Sequence, residues 1–231
     1  MRRFSQTRRG DLEEAIPKWK ARALRPLVRD RFMRFPPFDA QAHDSITDHY
    51  DYFRYATLGA SVKRVQDEVV PGSFAEVGVW RGETSRFVHR LAPDRRYYLF
   101  DTFTGFDAER DPTATGDDRF RDTTAALVHE RVGHSDNVVL KPGYVPDTFT
   151  GLGDERFAWV LLDLDLYAPT VASLDFFYPR LSPGAYLIVH DYNNDESDWA
   201  CKRALDEFVA DKPEHVIDIG DVWGTALFRK S

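Results

Sequence analysis

The sequence predicts an α/β fold, in which a doubly wound, mostly parallel sheet of seven strands ends in an antiparallel hairpin and follows an N-terminal helical appendage. After residue 72, apolar runs of strand length alternate with segments of helical periodicity. The run at 157–163 is almost continuously apolar, as expected for a parallel strand covered on both faces. The last two apolar runs, 215–220 and 224–230, are close enough in sequence to form a hairpin. Successive β-α units predict right-handed crossovers and place a ligand at the carboxyl ends of the strands.

The first elements are expected to be helices. Pro17 and Pro26 interrupt a helical pattern near the N-terminus, so this part is predicted to be an appendage outside the core. Asp44 or Ser45 can cap a further helix that runs to about Val69. The elements predicted next are strand 73–79, helix 84–91, strand 96–101, helix 119–132 and strand 137–143.

The second half continues the alternation. A short helical turn is expected at 146–152, and the segment Ser182-Pro183-Gly184 is expected to stop a helix. The elements predicted here are strand 157–163, helix 168–181, strand 185–191, helix 198–210 and the two hairpin strands. The polar loop at 102–118 is long enough to favour a functional or mobile role.

Length and composition favour one globular domain. A chain of 231 residues can build one substantial core, so we expect a domain at 46–231 preceded by a basic arm at 1–45. No apolar run approaches the roughly 18 residues of a membrane-spanning helix, and no signal peptide is evident. The single cysteine excludes an internal disulfide and a thiolate metal cluster, which is typical of a cytoplasmic protein.

The charge distribution argues against nucleic acid as a partner. Residues 1–34 contain eleven Arg or Lys and four Asp or Glu, whereas the whole chain has a net charge of -7. The basic arm therefore precedes a strongly acidic body. The arm is a solvated helical face, or it touches an anionic ligand or the acidic body of a partner subunit.

The stretch FAEVGVWRG, residues 74–82, predicts a buried strand that enters a glycine-rich turn and then a helix. Gly78 and Gly82 allow close approach of the backbone, and Thr84 and Ser85 can cap the helix. Glu76 is an unusual acid inside the apolar strand. The spacing E-x-G-x-x-x-G is compatible with a nucleotide-like cofactor, although glycines that only form a tight turn would give the same pattern.

Polar residues fall in or at the end of four predicted strands, the first of which contains Glu76. Asp101 follows the second strand, where a carboxylate can bind ribose hydroxyls or simply cap a helix. Asp163 ends the fourth strand, and His190 with Asp191 ends the fifth. Carboxylates that converge on one edge repel each other unless a cation intervenes, which favours Mg²⁺. His190 is then a base or a metal ligand, or else a packed core residue, and Asp165 either joins the site or caps the next helix.

Four motifs in order resemble the macrocin O-methyltransferase family. They are EVGVWRG at 76–82, FDTFTGF at 100–106, LDLDLY at 162–167 and LSPGAYLIVHDY at 181–192, followed by CKRALDEF. The resemblance implies a class I methyltransferase fold and a methyltransferase that depends on S-adenosylmethionine and Mg²⁺ and acts on sugar hydroxyls of natural products such as antibiotics. It spans roughly residues 52–228.

The resemblance also assigns roles to residues. Asp163 and Asp191 would be metal ligands, and His190 stands where the family has an aspartate, so the third ligand is His190 or Asn193 and the base is Asp163 or His190. From their position alone, and not from the resemblance, the loop at 102–118, with Phe103 and Phe106, and the arm are expected to form the lid and acceptor pocket. The residues expected to bind the cofactor are Glu76, Gly78, Trp80, Gly82, Thr84, Ser85, Asp101, Thr102 and Asp163.

Three other functions are compatible with parts of this pattern. A catechol-type O-methyltransferase would use the same cofactor and metal. A nicotinamide-dependent oxidoreductase is disfavoured because G-x-G-x-x-G is missing, and a non-catalytic cofactor-binding protein would not need the acids. We expect a small-molecule acceptor, no membrane partner, and a homo-oligomer that is at least a dimer.

Overall fold

The computed structural model describes residues 51–231, and its helices and strands alternate as expected. The helices are α1 (Tyr52–Asp67), α2 (Glu83–Leu91), α3 (Ala125–Val132), α4 (Tyr167–Phe177) and α5 (Ala200–Val209). The strands are β1 (Ser73–Val77), β2 (Tyr97–Asp101), β3 (Val138–Pro142), β4 (Phe157–Leu162), β5 (Leu181–Val189), β6 (Ile217–Ile219) and β7 (Thr225–Arg229). Short 3₁₀ turns lie at Pro112–Ala114, Asp147–Phe149 and Tyr178–Arg180.

All seven strands form one sheet in the order β3-β2-β1-β4-β5-β7-β6. The first five strands pair in parallel, and β7 runs antiparallel to both β5 and β6. This confirms the predicted mostly parallel sheet with a C-terminal hairpin. The strand order reverses direction between β1 and β4, and the crevice above such a point is where open α/β sheets bind ligands.

The central strands are hydrophobic because they are buried on both faces. Every residue of β1 and β4 is buried, including the indole of Trp159, whose Nε1 donates to Ser61 Oγ of α1 at 2.8 Å. Helix α1 therefore packs on the sheet with a satisfied polar contact inside the core. This rigid centre holds the strand ends in fixed positions.

Three predicted boundaries were wrong for identifiable reasons. Helix α1 begins at Tyr52, because Asp51 caps it by accepting from Arg54 N at 3.1 Å, and the predicted caps Asp44 and Ser45 lie outside the described residues. Helix α3 begins at 125 and not at 119, because Thr124 is its cap, with Oγ1 accepting from Leu127 N. The helix before β5 ends early, since the strand already begins at Leu181 and absorbs the Ser-Pro-Gly segment as an irregularity in its pairing with β4.

The predictions for the arm at 1–45, including its helices and its role as a lid, lie outside the described residues. Within residues 51–231, no helix has both the length and the apolar character needed to cross a bilayer.

Candidate functional site

Backbone hydrogen bonds bring the polar strand ends to one edge of the sheet. Asp163 N donates to Val77 O at 2.8 Å, which continues the pairing of β1 with β4 by one residue. His190 N donates to Leu162 O at 2.9 Å and extends the β4-β5 pairing in the same way. The side chains that follow β4 and β5 are therefore held by the sheet itself.

The turn after β1 has to be made of glycine at its first position. Gly78 has φ +88°, and a Cβ atom there would lie 1.8 Å from the carbonyl oxygen of Asp163. Gly82 has φ +76° and caps α2, so the predicted capping by Thr84 or Ser85 is wrong. The residue that caps this helix has a left-handed backbone conformation, which glycine adopts without strain. The glycine turn consequently lies in direct contact with the backbone of Asp163.

Asp101 holds this turn through backbone amides. Its Oδ2 accepts from Val79 N at 2.7 Å and Trp80 N at 2.8 Å, and its Oδ1 accepts from Phe103 N at 2.6 Å. A carboxylate has about four acceptor positions, so one remains for a ligand hydroxyl. Thr102 is used locally, because its hydroxyl donates to Gly105 O at 2.6 Å.

Trp80 forms one wall of an open groove beside the turn. The groove has a volume of about 380 Å³ and is lined by Trp80 and residues 118–122. The indole is 38% exposed, its Nε1 donates to Asp122 Oδ1 at 2.7 Å, and its ring meets Phe120 edge to face. The residues that were predicted to start a helix at 119 instead pack against the turn. Phe106 also contacts Phe120, whereas Phe103 is buried.

Glu76, Ser85 and Thr84 lie behind the turn and not at its surface. Glu76 is 1% exposed, and its Oε2 accepts hydrogen bonds from Ser85 Oγ at 2.8 Å and from the Tyr97 hydroxyl. Burial raises the pKa of Glu76 to about 8 although both hydroxyls favour the charged form. Thr84 Oγ1 lies 3.2 Å from the hydroxyl of Tyr55 in α1. These side chains connect β1, β2, α1 and α2 around the turn.

The acids at the ends of β4 and β5 form one cluster with His190 between them. His190 Nδ1 lies 2.9 Å from Asp163 Oδ1 and 2.9 Å from Asp191 Oδ2. The guanidinium of Arg54, from the first turn of α1, donates to the other oxygen of Asp163. Asp191 Oδ1 accepts from Asn194 Nδ2 at 3.1 Å. Each carboxylate thus has one oxygen tied to a neighbour and one directed at His190.

The charges of this cluster are strongly coupled. Burial disfavours the Asp163 carboxylate, yet the positive charges of Arg54 and His190 hold its pKa well below the ordinary value. Burial and Arg54 likewise oppose protonation of His190, but Asp163 and Asp191 raise its pKa to about 10. The Asp163 carboxylate is therefore ionised at neutral pH, between the cations of Arg54 and His190.

A ring nitrogen of His190 also lies near a second pair of acids, Asp51 and Asp221. Within residues 51–231, His190 Nε2 is buried without a hydrogen-bond partner, and so is Asp221 Oδ1. Ligand atoms of Asp51, His190 and Asp221 lie within 4.8 Å of one another. Asp221 belongs to the connection between β6 and β7, and Asp51 is the cap of α1. Thus His190 lies between two acidic pairs.

Two further predicted residues have different environments. Asp165 is 8% exposed with φ +60°, and burial together with the charges of Asp191 and Asp163 raises its pKa to about 8. It is not a helix cap, because Leu166 occupies that position. Asn193, the alternative third ligand, is exposed, and the neighbouring Asn194 is the residue bound to Asp191.

Sequence reasoning missed three residues of the site, namely Arg54, Asp51 and Asp221. A signal for Arg54 existed, since it precedes Leu58 by one helical turn and therefore falls on the buried face of α1. Asp51 could have been identified as a cap. Asp221 has no comparable local signal, because its position depends on how the hairpin closes against β5.

The donor set fits a divalent metal ion. Asp163, His190 and Asp191 each offer one ligand atom, and all three atoms lie within 4.8 Å of one another. Adjacent ligands of an octahedral ion with bonds of about 2.1 Å are about 3 Å apart, close to the separations of His190 Nδ1 from the two carboxylates. Two acids and an imidazole therefore supply chemistry and spacing suited to such an ion.

Comparison with known proteins shows consistent matches. The family described as Macrocin-O-methyltransferase (TylF) matches residues 50–230. The chain is 33% identical over 172 residues to 8-demethyl-8-(2,3-dimethoxy-alpha-L-rhamnosyl)-tetracenomycin-C 4'-O-methyltransferase of Streptomyces olivaceus, covering 67% of this chain and 64% of that protein. It is 32% identical over 179 residues to Mycinamicin III 3''-O-methyltransferase of Micromonospora griseorubida, covering 67% of each. The chain thus spans about two thirds of the length of these curated relatives, and slightly less for the first.

A solved structure shows the same fold. The O-methyltransferase NovP superposes with a TM-score of 0.65 at 27% sequence identity, over 78% of this chain and 80% of that chain.

Proposed function

The chain belongs to the macrocin O-methyltransferase family, which it matches over residues 50–230, and we propose that it methylates a hydroxyl of a sugar on an antibiotic or related glycoside. Two relatives support this acceptor class, since their names specify O-methylation of mycinamicin III and of a rhamnosyl tetracenomycin. The proposed methyl donor is S-adenosylmethionine, and the proposed metal is a divalent cation, with Mg²⁺ as the ion that the family resemblance implies.

The observation that carries the proposal is the contact between the glycine turn and the acid cluster. The backbone of Gly78 packs on the carbonyl of Asp163, whose side chain belongs to the cluster. A donor bound at the turn and an acceptor bound at the cluster would therefore be neighbours. Alignment of donor and acceptor is the main contribution that a protein makes to methyl transfer.

The turn offers a site for the donor. S-adenosylmethionine would supply a sulfonium methyl group that needs no further activation. Gly78 and Gly82 keep the backbone free of side chains, and Asp101 has one acceptor position left for a ribose hydroxyl. Trp80 and Thr102 flank this position. We assign Glu76, Thr84 and Ser85 to support of the turn from the core, because all three are buried.

The cluster offers a site for the metal and for the proton. Asp163, His190 and Asp191 would hold a divalent ion, which lowers the pKa of a hydroxyl that binds to it. Asp163 is the candidate base, because its carboxylate is ionised at neutral pH and belongs to the cluster that would hold the ion. In the absence of an ion, Asp163 and Asp191 raise the pKa of His190 to about 10, so an ion that binds through the imidazole would displace that proton. Arg54 orients the carboxylate of Asp163 by donating to the oxygen that does not contact His190.

Binding and activity measurements test the proposal separately. Calorimetry should show binding of S-adenosylmethionine and none of NAD. Methyl transfer should appear in a panel of nucleotide sugars, glycosylated natural products and catechols, with preference for the glycosides. Asp163→Asn and Asp191→Asn should each abolish metal-dependent turnover while donor binding persists. Full turnover in the presence of a chelator, or tighter binding of NAD, would contradict the proposal.

The predicted homo-oligomer is also part of the proposal, and light scattering of the full chain measures it directly. A monomeric mass at working concentration would remove it without affecting the assignment of the site.

A further inference from the structure

We propose that His190 makes the metal centre of this chain a mixed nitrogen-oxygen site that prefers first-row transition-metal dications to Mg²⁺, with Asp221 holding the imidazole in position. The inference rests on the proposed function, because it concerns the same cluster. It goes further in assigning the kind of ion and in giving a role to an acid outside the cluster.

The imidazole of His190 directs Nδ1 toward the place between Asp163 and Asp191 that a metal ion would occupy. This atom lies 2.9 Å from both Asp163 Oδ1 and Asp191 Oδ2. The remaining oxygens are already engaged, by Arg54 in one case and by Asn194 Nδ2 in the other. The carboxylate oxygens nearest to Nδ1 are the ones placed to ligate an ion together with it, so an ion held by these residues has one nitrogen among three protein ligands.

The other ring nitrogen of His190, Nε2, lies in a buried environment. His190 is 3% exposed, and its Nε2 has no hydrogen-bond partner although it is buried. Asp221 Oδ1 is also buried and without a partner. Both oxygens of Asp51 already accept, from Arg54 N at 3.1 Å and from Val222 N at 3.2 Å. The other oxygen of Asp221 accepts from Thr225 Oγ1, whereas Oδ1 has no donor within residues 51–231 and is the available acceptor for a proton on Nε2.

These two features produce a known arrangement of metal sites. A histidine ligand almost always donates its second nitrogen to a carboxylate or carbonyl, which selects the tautomer and orients the ring. Here Asp221 would accept from Nε2-H, so that Nδ1 keeps its lone pair for the metal. A ring nitrogen of His190 and a carboxylate oxygen of Asp221 lie within 4.8 Å of each other, so a movement of the two side chains toward each other would form this hydrogen bond.

The ligand atoms determine which metal ion the site prefers. Mg²⁺ favours oxygen ligands, whereas imidazole suits later first-row ions, whose affinity for a given site rises from Mn²⁺ to Co²⁺ and beyond. Replacing an aspartate by histidine at position 190 therefore weakens the site for Mg²⁺ relative to Co²⁺. An aspartate at position 190 would supply only oxygen ligands, so the preference for Co²⁺ over Mg²⁺ would be smaller.

Direct metal binding tests this preference without reference to turnover. The metal-free full chain is titrated with Co²⁺, Mn²⁺ and Mg²⁺ by calorimetry, with the visible absorption of Co²⁺ and the electron paramagnetic resonance of Mn²⁺ as independent signals. Wild type should bind Co²⁺ at least roughly tenfold more tightly than Mg²⁺, and His190→Asp should reduce this ratio by roughly tenfold or more. An unchanged ratio in His190→Asp overturns the inference.

The role of Asp221 is tested with a matched control. Asp221→Asn should weaken Co²⁺ binding by roughly tenfold and change the visible spectrum, since second-shell partners commonly contribute roughly 10- to 100-fold to affinity. Asp218→Asn, an exposed acid on β6, should have no effect. In the His190→Asp background, Asp221→Asn should also have no effect. An equal loss in both backgrounds would show a purely structural role and overturn this part.

The two levels of the proposal fail in distinguishable ways. Thermal melting and S-adenosylmethionine binding show whether each variant is folded. A protein that binds Co²⁺ through His190 but methylates no acceptor refutes only the proposed function. A protein that methylates glycosides, with the same Co²⁺ to Mg²⁺ ratio in wild type and His190→Asp, refutes only the metal assignment.

Discussion

Arg54 extends from α1 to a carboxylate that lies 109 positions later in the chain. Its side chain is 14% exposed, and its partner Asp163 is 22% exposed. An ion pair with so little water keeps a strong interaction, and removing one partner leaves the other charge uncompensated. Arg54 is therefore the residue that keeps Asp163 ionised from the side opposite His190.

Replacement of Arg54 should alter the pH dependence of the reaction. Arg54→Met removes a positive charge that lowers the pKa of Asp163, so that pKa should rise and the acidic limb of the rate profile should move to higher pH. Turnover should fall roughly tenfold or more on the acidic side of the profile, where Asp163 of the variant is protonated and that of wild type is still ionised. The rate measured between pH 5 and pH 9 checks this.

Arg64→Met is the matched control for this experiment. Arg64 lies on the same helix, but its side chain is 61% exposed and only pairs with Glu68 on the surface. Its loss should leave the profile unchanged. The same shift in both variants would show a general effect of helix charge and contradict the role of Arg54.

At the scale of elements, the glycine turn is held by contacts on every side. Asp101 binds the amides of Val79 and Trp80, and the loop after β2 adds a bond from Thr123 Oγ1 to Trp80 O. Gly78 meets Asp163 with no space for a methyl group. The position of the turn relative to β4 is therefore a property of close packing, and not of the turn sequence alone.

Substitution at Gly78 should damage both stability and donor binding. In Gly78→Ala the new Cβ would lie 1.8 Å from Asp163 O, so the backbone must move. We expect a loss of about 3 kcal/mol or more in the free energy of unfolding, together with loss of S-adenosylmethionine binding. Chemical denaturation and calorimetry measure the two effects.

Gly116→Ala separates packing from backbone strain. Gly116 has a similar φ of +82°, but no atom lies within 4 Å of the position of its Cβ. Its substitution should cost only about 1–2 kcal/mol from the left-handed conformation. Equal losses in the two variants would show that the contact with Asp163 contributes nothing.

At the scale of the whole molecule, Glu76 links the central strand to its neighbours. Its carboxyl group joins α2 through Ser85 and β2 through Tyr97, at the centre of the buried sheet. Burial raises its pKa from 4.5 to about 8. The folded protein therefore binds a proton that the unfolded chain releases at lower pH, and its stability is linked to that proton.

The stability of the fold should decrease with rising pH because of Glu76. The contribution of the protonated group is complete below pH 4.5 and is lost as the pH rises through about 8. Glu76→Gln cannot ionise, so its stability relative to wild type should rise between pH 5 and pH 9. Thermal midpoints at several pH values check this. Glu130→Gln, at an exposed position, should follow wild type throughout.

Features that depend on adjacent parallel strands could be predicted from the sequence, whereas features that depend on contacts between distant parts of the chain could not. Acids at the ends of parallel strands could be placed together because such strands share an edge, and this brought Asp163, His190 and Asp191 to one cluster. The position of Asp221 depends on the closure of a hairpin, which no local pattern describes. Glu76 was expected at the cofactor turn, but its hydrogen bonds lie inside the core, where burial and not the motif determines its environment.

The backbone bond from His190 N to Leu162 O has a consequence for how this site can change over evolutionary time. Since the sheet positions the main chain at residue 190, the side chain there can be exchanged without a shift of the strand. Under the proposed metal assignment, a single substitution would adapt the protein to a different supply of trace metals while the proposed donor and acceptor positions stay unchanged. We expect sites of this construction to diversify in metal use faster than in fold.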